Sequence, residues 1–435
     1  MSTSSLDRLV EALGFQTVTA SPDRAPFSGF GGFLEQAFPG VHRVCEWEVL
    51  PGGTRRYCWR GTRPDCAPDL FVSHFDVVPE GDRSAWTRSP WGERAEGRVY
   101  GRGALDVKSG LMALLEAAEA LVGEGWRPER DLWWVFGHDE ETGGAEGAAA
   151  AARRFQEEGV RFRCVLDEGG AIVANPLGGG AVAAVGVAEK GWIDVRVTAR
   201  GAGGHASLTA DFNPLVALAE GVARLPREWL PDALPAPAAA LLRTLPVGRP
   251  LLAAALRVAA GAAPRRLHRA LVRIPDLRPQ VATLITPTVF AAGHAPNAVP
   301  DRAEVVLNCR IVPGHTRTGV LDFIRRAFAD PRFTVEQLGP GSEPSPTVDA
   351  AGPDFARLSE VIAPLAPLTA PTVFTGITDS RHYVDVADAI LRFIPLRLTP
   401  ANRSGIHGVD EHIEEVNYLE IIEFYKSYYR RAGVA

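Results

Sequence analysis

The sequence predicts an α/β protein: a mostly parallel sheet flanked by helices, interrupted by an inserted α+β domain. Three observations carry that expectation. Apolar runs that read as buried strands, PDLFVSH, DLWWVF and RFRCVL, alternate with helical stretches through the first part of the chain, and such alternation builds βαβ units. Each run ends on histidine or acids, at the sheet edge where ligands of these folds bind. From Gly180 the texture changes to longer alternating strands before helices return.

The elements follow in chain order. A short helix is predicted from Leu6 to Leu13, then Gly/Pro-rich loops run to about residue 66. The strand PDLFVSHFDVVP places His74 and Asp76 at its C-terminal end. Residues two apart share a strand face, so the acid can sit behind the imidazole and orient it on a metal; a surface turn is the plainer alternative. GRGALDVKSG precedes a helix in which Leu111, Leu114, Leu115, Ala118 and Leu121 recur at helical spacing. Asp106 lies just before it, either as an acid favoured by the helix dipole or as a ligand. Gly101 and Gly103 permit a close backbone approach that a simple cap does not need.

The strand DLWWVF leads into FGHDEETGG, where Asp139, Glu140 and Glu141 are adjacent. Three neighbouring carboxylates repel and need a cation, protons or open solvent. RFRCVL then ends in Asp167-Glu168-Gly169-Gly170. His74, Asp106, Glu140, Glu141 and Asp167 or Glu168 would therefore gather at one sheet edge. Acids with an imidazole suit a hard-to-borderline dication, zinc above all.

AVAAVGVAEKGWIDVRVTARG reads as alternating strands, followed by GGHASLTADFNP and a helix from Leu215 to Leu225. Residues 226–279 are rich in Ala, Leu, Arg and Pro and read as amphipathic helices packing on their own domain. VATLITPTVFAAG and RAEVVLNCRIVPG resemble antiparallel strands with HAPNAVP between them. The boundaries expected are 1–192 and 313–435 for the two parts of the sheet domain and 193–312 for the insertion. The last part carries helices at Val320–Ala329 and Asp354–Leu365, the stretch VFTGITDSRHYVD, a Gly-flanked His407, and a terminal helix from Glu415 to Tyr429.

Composition narrows the function. With 435 residues, 46% hydrophobic and 23% charged, the chain is an ordinary globular protein of two or three domains. A net charge of −6 without a basic stripe argues against a nucleic-acid partner. The apolar stretch Leu251 to Ala263 is broken by Arg257 and Gly261 and is too short to span a bilayer. No basic segment followed by an apolar one opens the chain. The five cysteines, Cys45, Cys58, Cys66, Cys164 and Cys309, have no CxxC spacing. A cytoplasmic protein without a membrane partner is the expectation.

The ordered stretches SHFDVVP, GRGALDVKSG, GHDEETGG, LDEGG, GGHAS, NAVP with NCRIVPG, TDSR and IHGVDE resemble the dinuclear-zinc hydrolase family of aminoacylase, succinyl-diaminopimelate desuccinylase, acetylornithine deacetylase and glutamate carboxypeptidase. They are most similar to its Gly-X carboxypeptidase branch, which includes carboxypeptidase S and the N-fatty-acyl-amino-acid hydrolases. The resemblance implies a zinc-peptidase-like catalytic domain with a lid or dimerisation insertion, two Zn2+ ions that Co2+ or Mn2+ could replace, and a homodimer. It implies that His74 and Glu168 hold one ion, Glu141 and His407 the other, and that Asp106 bridges them; Asp167 is the alternative to Glu168. Asp76 would orient His74, and Glu140 would be general base and acid. His205, from the neighbouring subunit in dimeric members, would stabilise the oxyanion. Arg310 with Asn297 would clamp a substrate carboxylate. The activity implied is hydrolysis of amide bonds in N-acyl amino acids or short peptides with a free carboxylate. A deacetylase, a desuccinylase, a dipeptidase or a non-catalytic binding protein on the same fold are the alternatives.

Overall fold

The computed structural model describes residues 4–176, 178, 180–208, 211–245, 251, 254–256, 258–259 and 264–432. The chain divides into two compact units: Met1–Val187 with Val348–Pro371 and Thr378–Ala435, and Ala188–Thr347 with Thr372–Ile377.

The first unit is built on a nine-stranded sheet. Its middle strands, Leu132–Gly137, Asp69–His74, Phe162–Asp167 and Ala387–Arg392, lie side by side in parallel. Strands Glu46–Val49 and Arg55–Trp59 continue one side antiparallel. Asp69–His74 and Leu132–Gly137 are buried at every position. That explains their uninterrupted apolar runs, because a parallel strand is covered on both faces. The alternation of strand side chains sorts those runs cleanly. Leu132, Trp134, Phe136 and Phe71 join one core with helices Lys108–Gly123 and Glu415–Ala432. Trp133, Val135, Leu70 and Val72 join the other with helix Ala148–Glu157 and Tyr383. Trp134 and Tyr429 satisfy their buried polar tips: Trp134 Nε1 donates to Tyr429 Oη at 2.7 Å, and Tyr429 Oη donates to the Leu114 carbonyl at 3.1 Å.

Register makes the site. His74 pairs with Gly137, and Arg392 with Asp167. The C-terminal ends of the central strands therefore finish together, and the loops that follow them carry the acids.

The second unit is a five-stranded antiparallel sheet in the order Glu228–Trp229, Thr283–Ala292, Arg302–Ile311, Gly191–Arg200, Phe333–Ser342. Ile193, Val195, Val197, Val305 and Leu307 face helices Pro214–Arg224 and Arg317–Ala327 through Leu218, Val320 and Ile324. This unit corrects the expected boundaries 193–312 and 313–435. It begins at Ala188 and continues to Thr347, because the open edge of Gly191–Arg200 takes Phe333–Ser342 as its partner. FTVEQLGPGS is half exposed and ends in Gly/Pro residues, so its strand character is weak in the sequence. Within 226–279, helices Ala236–Thr244 and Pro264–Leu271 bury Ala238, Leu241, Leu242, Leu267 and Leu271. Most of Leu251–Ala263 lies outside the described residues. No helix among the described residues is long and apolar enough to cross a membrane.

Candidate metal centre

His74 closes a central strand, and its ring is 1% exposed. Its Nδ1 lies 3.0 Å from the Asp76 carbonyl and 3.4 Å from Asp76 Oδ1, which fixes the ring and turns Nε2 outward. Nε2 meets Asp106 Oδ1 at 3.2 Å and Glu168 Oε1 at 3.4 Å. Asp106 stands in the turn before helix Lys108–Gly123, and its peptide bond to Val107 is cis. Its other oxygen, Oδ2, lies 3.2 Å from His407 Nε2, which is 3.2 Å from Glu141 Oε2. Two groups of possible metal donors result, His74–Asp106–Glu168 and Asp106–Glu141–His407, and Asp106 belongs to both.

Asp76 has a second task. Its Oδ1 accepts the Glu140 N–H and its Oδ2 the Glu141 N–H, both at 3.1 Å, and Thr19 Oγ1 donates to Oδ2 at 2.5 Å. Asp139 accepts the N–H groups of Glu146 and Gly147 at 2.8 and 2.9 Å. The acid run is thus sorted by its hydrogen bonds: Asp139 is spent on backbone, while Glu140 and Glu141 are aimed by backbone. Glu140 Oε2 comes no nearer His74 Nε2 than 3.9 Å and belongs to neither donor group. Asp167 accepts the N–H of Glu168 and of Ser380, both at 2.8 Å. Of the two acids in LDEGG, the structure brings Glu168 into a donor group and gives Asp167 to the loops.

The electrostatics of the cluster suit a cation. Burial pushes Glu168 up to about 7, with the Asp106 charge adding to it. Burial also pushes Glu140 well above the usual carboxylate range, and Asp379, Glu168 and Asp106 reinforce this. Burial opposes charge on Asp106 too, but the bonds to His407 and His74 outweigh it and hold that carboxyl low. His407 is driven up to about 10 by Asp106 and Glu141. Protons here stand where a dication would relieve the same repulsion. Glu141 Oε1 is buried without a hydrogen-bond partner, a cost that a metal ion removes.

Some residues of this site were missed in the sequence. Asp379 is 2% exposed, with both oxygens buried and unpartnered, wedged where a Cβ on Gly144 or Gly137 would collide with it. Burial, with Asp167 nearby, raises its carboxyl strongly. Arg381 Nη2 donates to the Gly143 carbonyl at 2.6 Å and ties TDSR to the Glu140–Glu141 turn. Arg102 and Glu411 form a buried ion pair at 2.6 Å. The only signal for them was membership of the motifs TDSR, GRG and IHGVDE.

The remaining sequence candidates belong to the second unit. His205 is exposed, in a two-residue strand paired with Ala298–Val299, and the Ala206 N–H donates to the Asn297 carbonyl at 2.9 Å. Its Nδ1 lies 2.7 Å from Ser207 Oγ. Arg310 Nε donates to Asn308 Oδ1 at 3.1 Å, and Asn308 Nδ2 to Asp194 Oδ1 at 2.7 Å. Burial pulls the Arg310 guanidinium down.

Residues 70–431 match the model of peptidase family M20/M25/M40. The chain belongs to this family. It is 31% identical to the probable carboxypeptidase S-like 2 of Dictyostelium discoideum, over 96% of this chain and 83% of that one. It is 30% identical to the N-fatty-acyl-amino acid synthase/hydrolase of Mus musculus, over 96% and 86%. An M20 family metallo-carboxypeptidase from Sulfolobus solfataricus shares the fold with a TM-score of 0.71 at 18% identity, covering 99% of both chains. Human carnosine dipeptidase 1 does so with a TM-score of 0.66 at 14% identity, covering 99% and 96%. The protein is a metallohydrolase of the M20 family, and its acid and histidine cluster has the donors of a divalent-metal centre.

Proposed function

We propose that this hydrolase cleaves the amide bond of N-acyl amino acids or short peptides that carry a free carboxylate. The observation that carries the reading is the double donor group sharing Asp106. His74 and Glu168 would hold one zinc ion, Glu141 and His407 the other, with Asp106 between them; Co2+ or Mn2+ would fit the same oxygen and nitrogen donors. Bound zinc would acidify a water and polarise the scissile carbonyl. Asp76 orients His74 from behind. Glu140, left out of both groups, takes a proton from the attacking water and returns it to the leaving amine. Burial raises its proton affinity, which favours taking that proton. His205 is the proposed oxyanion donor. Arg310 and Asn297 are the proposed carboxylate anchor, since guanidinium geometry matches a carboxylate.

The relatives support the substrate class. One is named a carboxypeptidase S-like protein, the other an N-fatty-acyl-amino acid synthase/hydrolase, and both names describe an amino acid with a free carboxylate. We further propose a cytoplasmic homodimer; the five thiols are free, in keeping with a reducing compartment. The deciding experiment is metal analysis of the purified protein together with hydrolysis of a panel of N-acyl amino acids and dipeptides, with and without chelator. Two zinc ions per chain and chelator-sensitive release of free amino acid are expected. Activity that survives complete metal removal would defeat the proposal.

A further inference from the structure

His74 and His407 play matching parts in the two donor groups but are held in opposite ways. The His74 ring is buried and Asp76 stands behind its Nδ1. The His407 side chain is 51% exposed, and no group among the described residues bonds its Nδ1. A ligating imidazole usually has such a partner. Its backbone is also uncommon: His407 has φ 57° and Asp410 has φ 54°, left-handed values that few non-glycine residues adopt.

The stretch around His407 is held by Arg102 and Glu411, which are 1% and 0% exposed and lie 309 residues apart in sequence. Arg102 Nη1 donates to Glu411 Oε2 at 2.6 Å and to the Gly405 carbonyl at 3.3 Å. Its Nη2 donates to the Gly408 carbonyl at 2.7 Å and to the Pro79 carbonyl at 3.4 Å. The guanidinium therefore grips the chain on both sides of His407. Glu411 Oε1 accepts the N–H of Leu105 at 2.7 Å and of Asp106 at 3.2 Å, and the Gly101 N–H donates to the Glu411 carbonyl at 2.9 Å. Arg102 belongs to the Asp106 turn and holds the His407 loop; Glu411 belongs to the His407 loop and holds the Asp106 turn.

We propose that Arg102 and Glu411 are positioning residues that lock the His407 loop to the Asp106 turn and so set the metal affinity of the Asp106–Glu141–His407 group. The lock takes the place of the missing partner behind the His407 ring. It rests on the reading of two metal sites given above. A planar fork is needed to reach three carbonyls and a carboxylate together, so lysine at position 102 should fail although it keeps the charge.

The test isolates each site. His74→Ala leaves only the Asp106–Glu141–His407 group, and His407→Ala only the His74–Asp106–Glu168 group. Glu411→Gln and Arg102→Lys are added to each background, and zinc affinity is read by competition with a chromophoric chelator. In the His74→Ala background each should weaken zinc binding about 10- to 100-fold, the scale of losing an outer-shell partner, while in the His407→Ala background, which keeps Asp106 but lacks the gripped imidazole, the loss should be several-fold smaller. Asp69→Asn breaks a part-buried ion pair of the same unit, with Arg163, and should lower Tm without separating the two sites. Should Glu411→Gln not fold by circular dichroism, Arg102→Lys decides. Equal losses in both backgrounds, or none in either, overturn the lock while leaving two-metal binding standing. A native protein that binds fewer than two zinc ions overturns the two-metal reading, and the lock with it.

Discussion

The acid cluster of the first unit and the candidate substrate residues of the second are built on opposite terms. Around the cluster, backbone N–H groups are already committed: Asp76 accepts from Glu140 and Glu141, Asp139 from Glu146 and Gly147, Asp167 from Glu168 and Ser380. Of the groups left over, Glu141 and Glu168 enter the two donor groups around Asp106, and Glu140 and Glu168 are buried near its charge at a cost. In the second unit His205 is exposed, and Arg310 is tied through Nε to Asn308. One region fixes its geometry before any ligand arrives, as electrostatic preorganisation requires. The other leaves donors open for a ligand to engage. Changes in the first should therefore strike turnover, and metal as well where a donor is removed, while changes in the second should strike turnover or substrate binding with the metal untouched.

The largest expected effect is metal removal. A chelator should abolish hydrolysis, and zinc should restore it; measured turnover that recovers with no added metal would break the comparison at its root. Glu140→Gln comes next. Gln is nearly isosteric but carries no proton to exchange, so kcat should fall about 100- to 10,000-fold while metal content by atomic absorption stays unchanged. A near-normal kcat would remove Glu140 from the chemistry.

His205→Ala should lower kcat about 100- to 1,000-fold, the cost of one oxyanion donor, again with metal content intact. Mixing it with Glu140→Gln under subunit exchange should restore part of the activity if His205 serves the neighbouring subunit. Mixed dimers that stay inactive would confine it to its own chain. Arg310→Lys should raise KM for carboxylate substrates about tenfold, as losing one charged hydrogen bond does, and leave KM for the matching carboxamides little changed. An unchanged preference between the two substrate sets would exclude Arg310 as the anchor.

The smallest effect is a pH dependence. The folded-state affinity of His407 for its proton is raised, from 6.5 to about 10. In the metal-free protein its contribution to stability is complete below 6.5 and is lost as pH rises through about 10. Glu168 is raised from 4.5 to about 7, so its contribution is likewise present below 4.5 and is lost as pH rises through about 7. Zinc must displace both protons. The Tm difference between zinc-loaded and metal-free protein should therefore widen from pH 6 to pH 8, as differential scanning fluorimetry would report. A constant difference would mean that the cluster does not hold its protons against the metal.

Particular residues show how far the sequence could be read. His74 was legible because a run of buried apolar residues ended on it, and strand ends of a parallel sheet are where ligands gather. Glu168 was not separable from Asp167 by pattern, since adjacent acids after a strand differ only in which way the backbone turns them. The fold resolves it by giving Asp167 two N–H groups to accept. Phe333–Ser342 was missed as a strand because its own side chains are half exposed, and its partner Gly191–Arg200 supplies the reason it is extended.

The sequence by itself determined the strand-and-helix alternation, the two helix-covered faces of the sheet and the donor-type residues that gather at its edge, because burial period and side-chain chemistry are local properties. Only the tertiary structure decided which acid faces the centre, that Asp106 serves both donor groups, and that Arg102 and Glu411 close the loop around His407. Those outcomes depend on hydrogen bonds between segments up to 309 residues apart, and no local pattern encodes the direction in which a distant N–H will point.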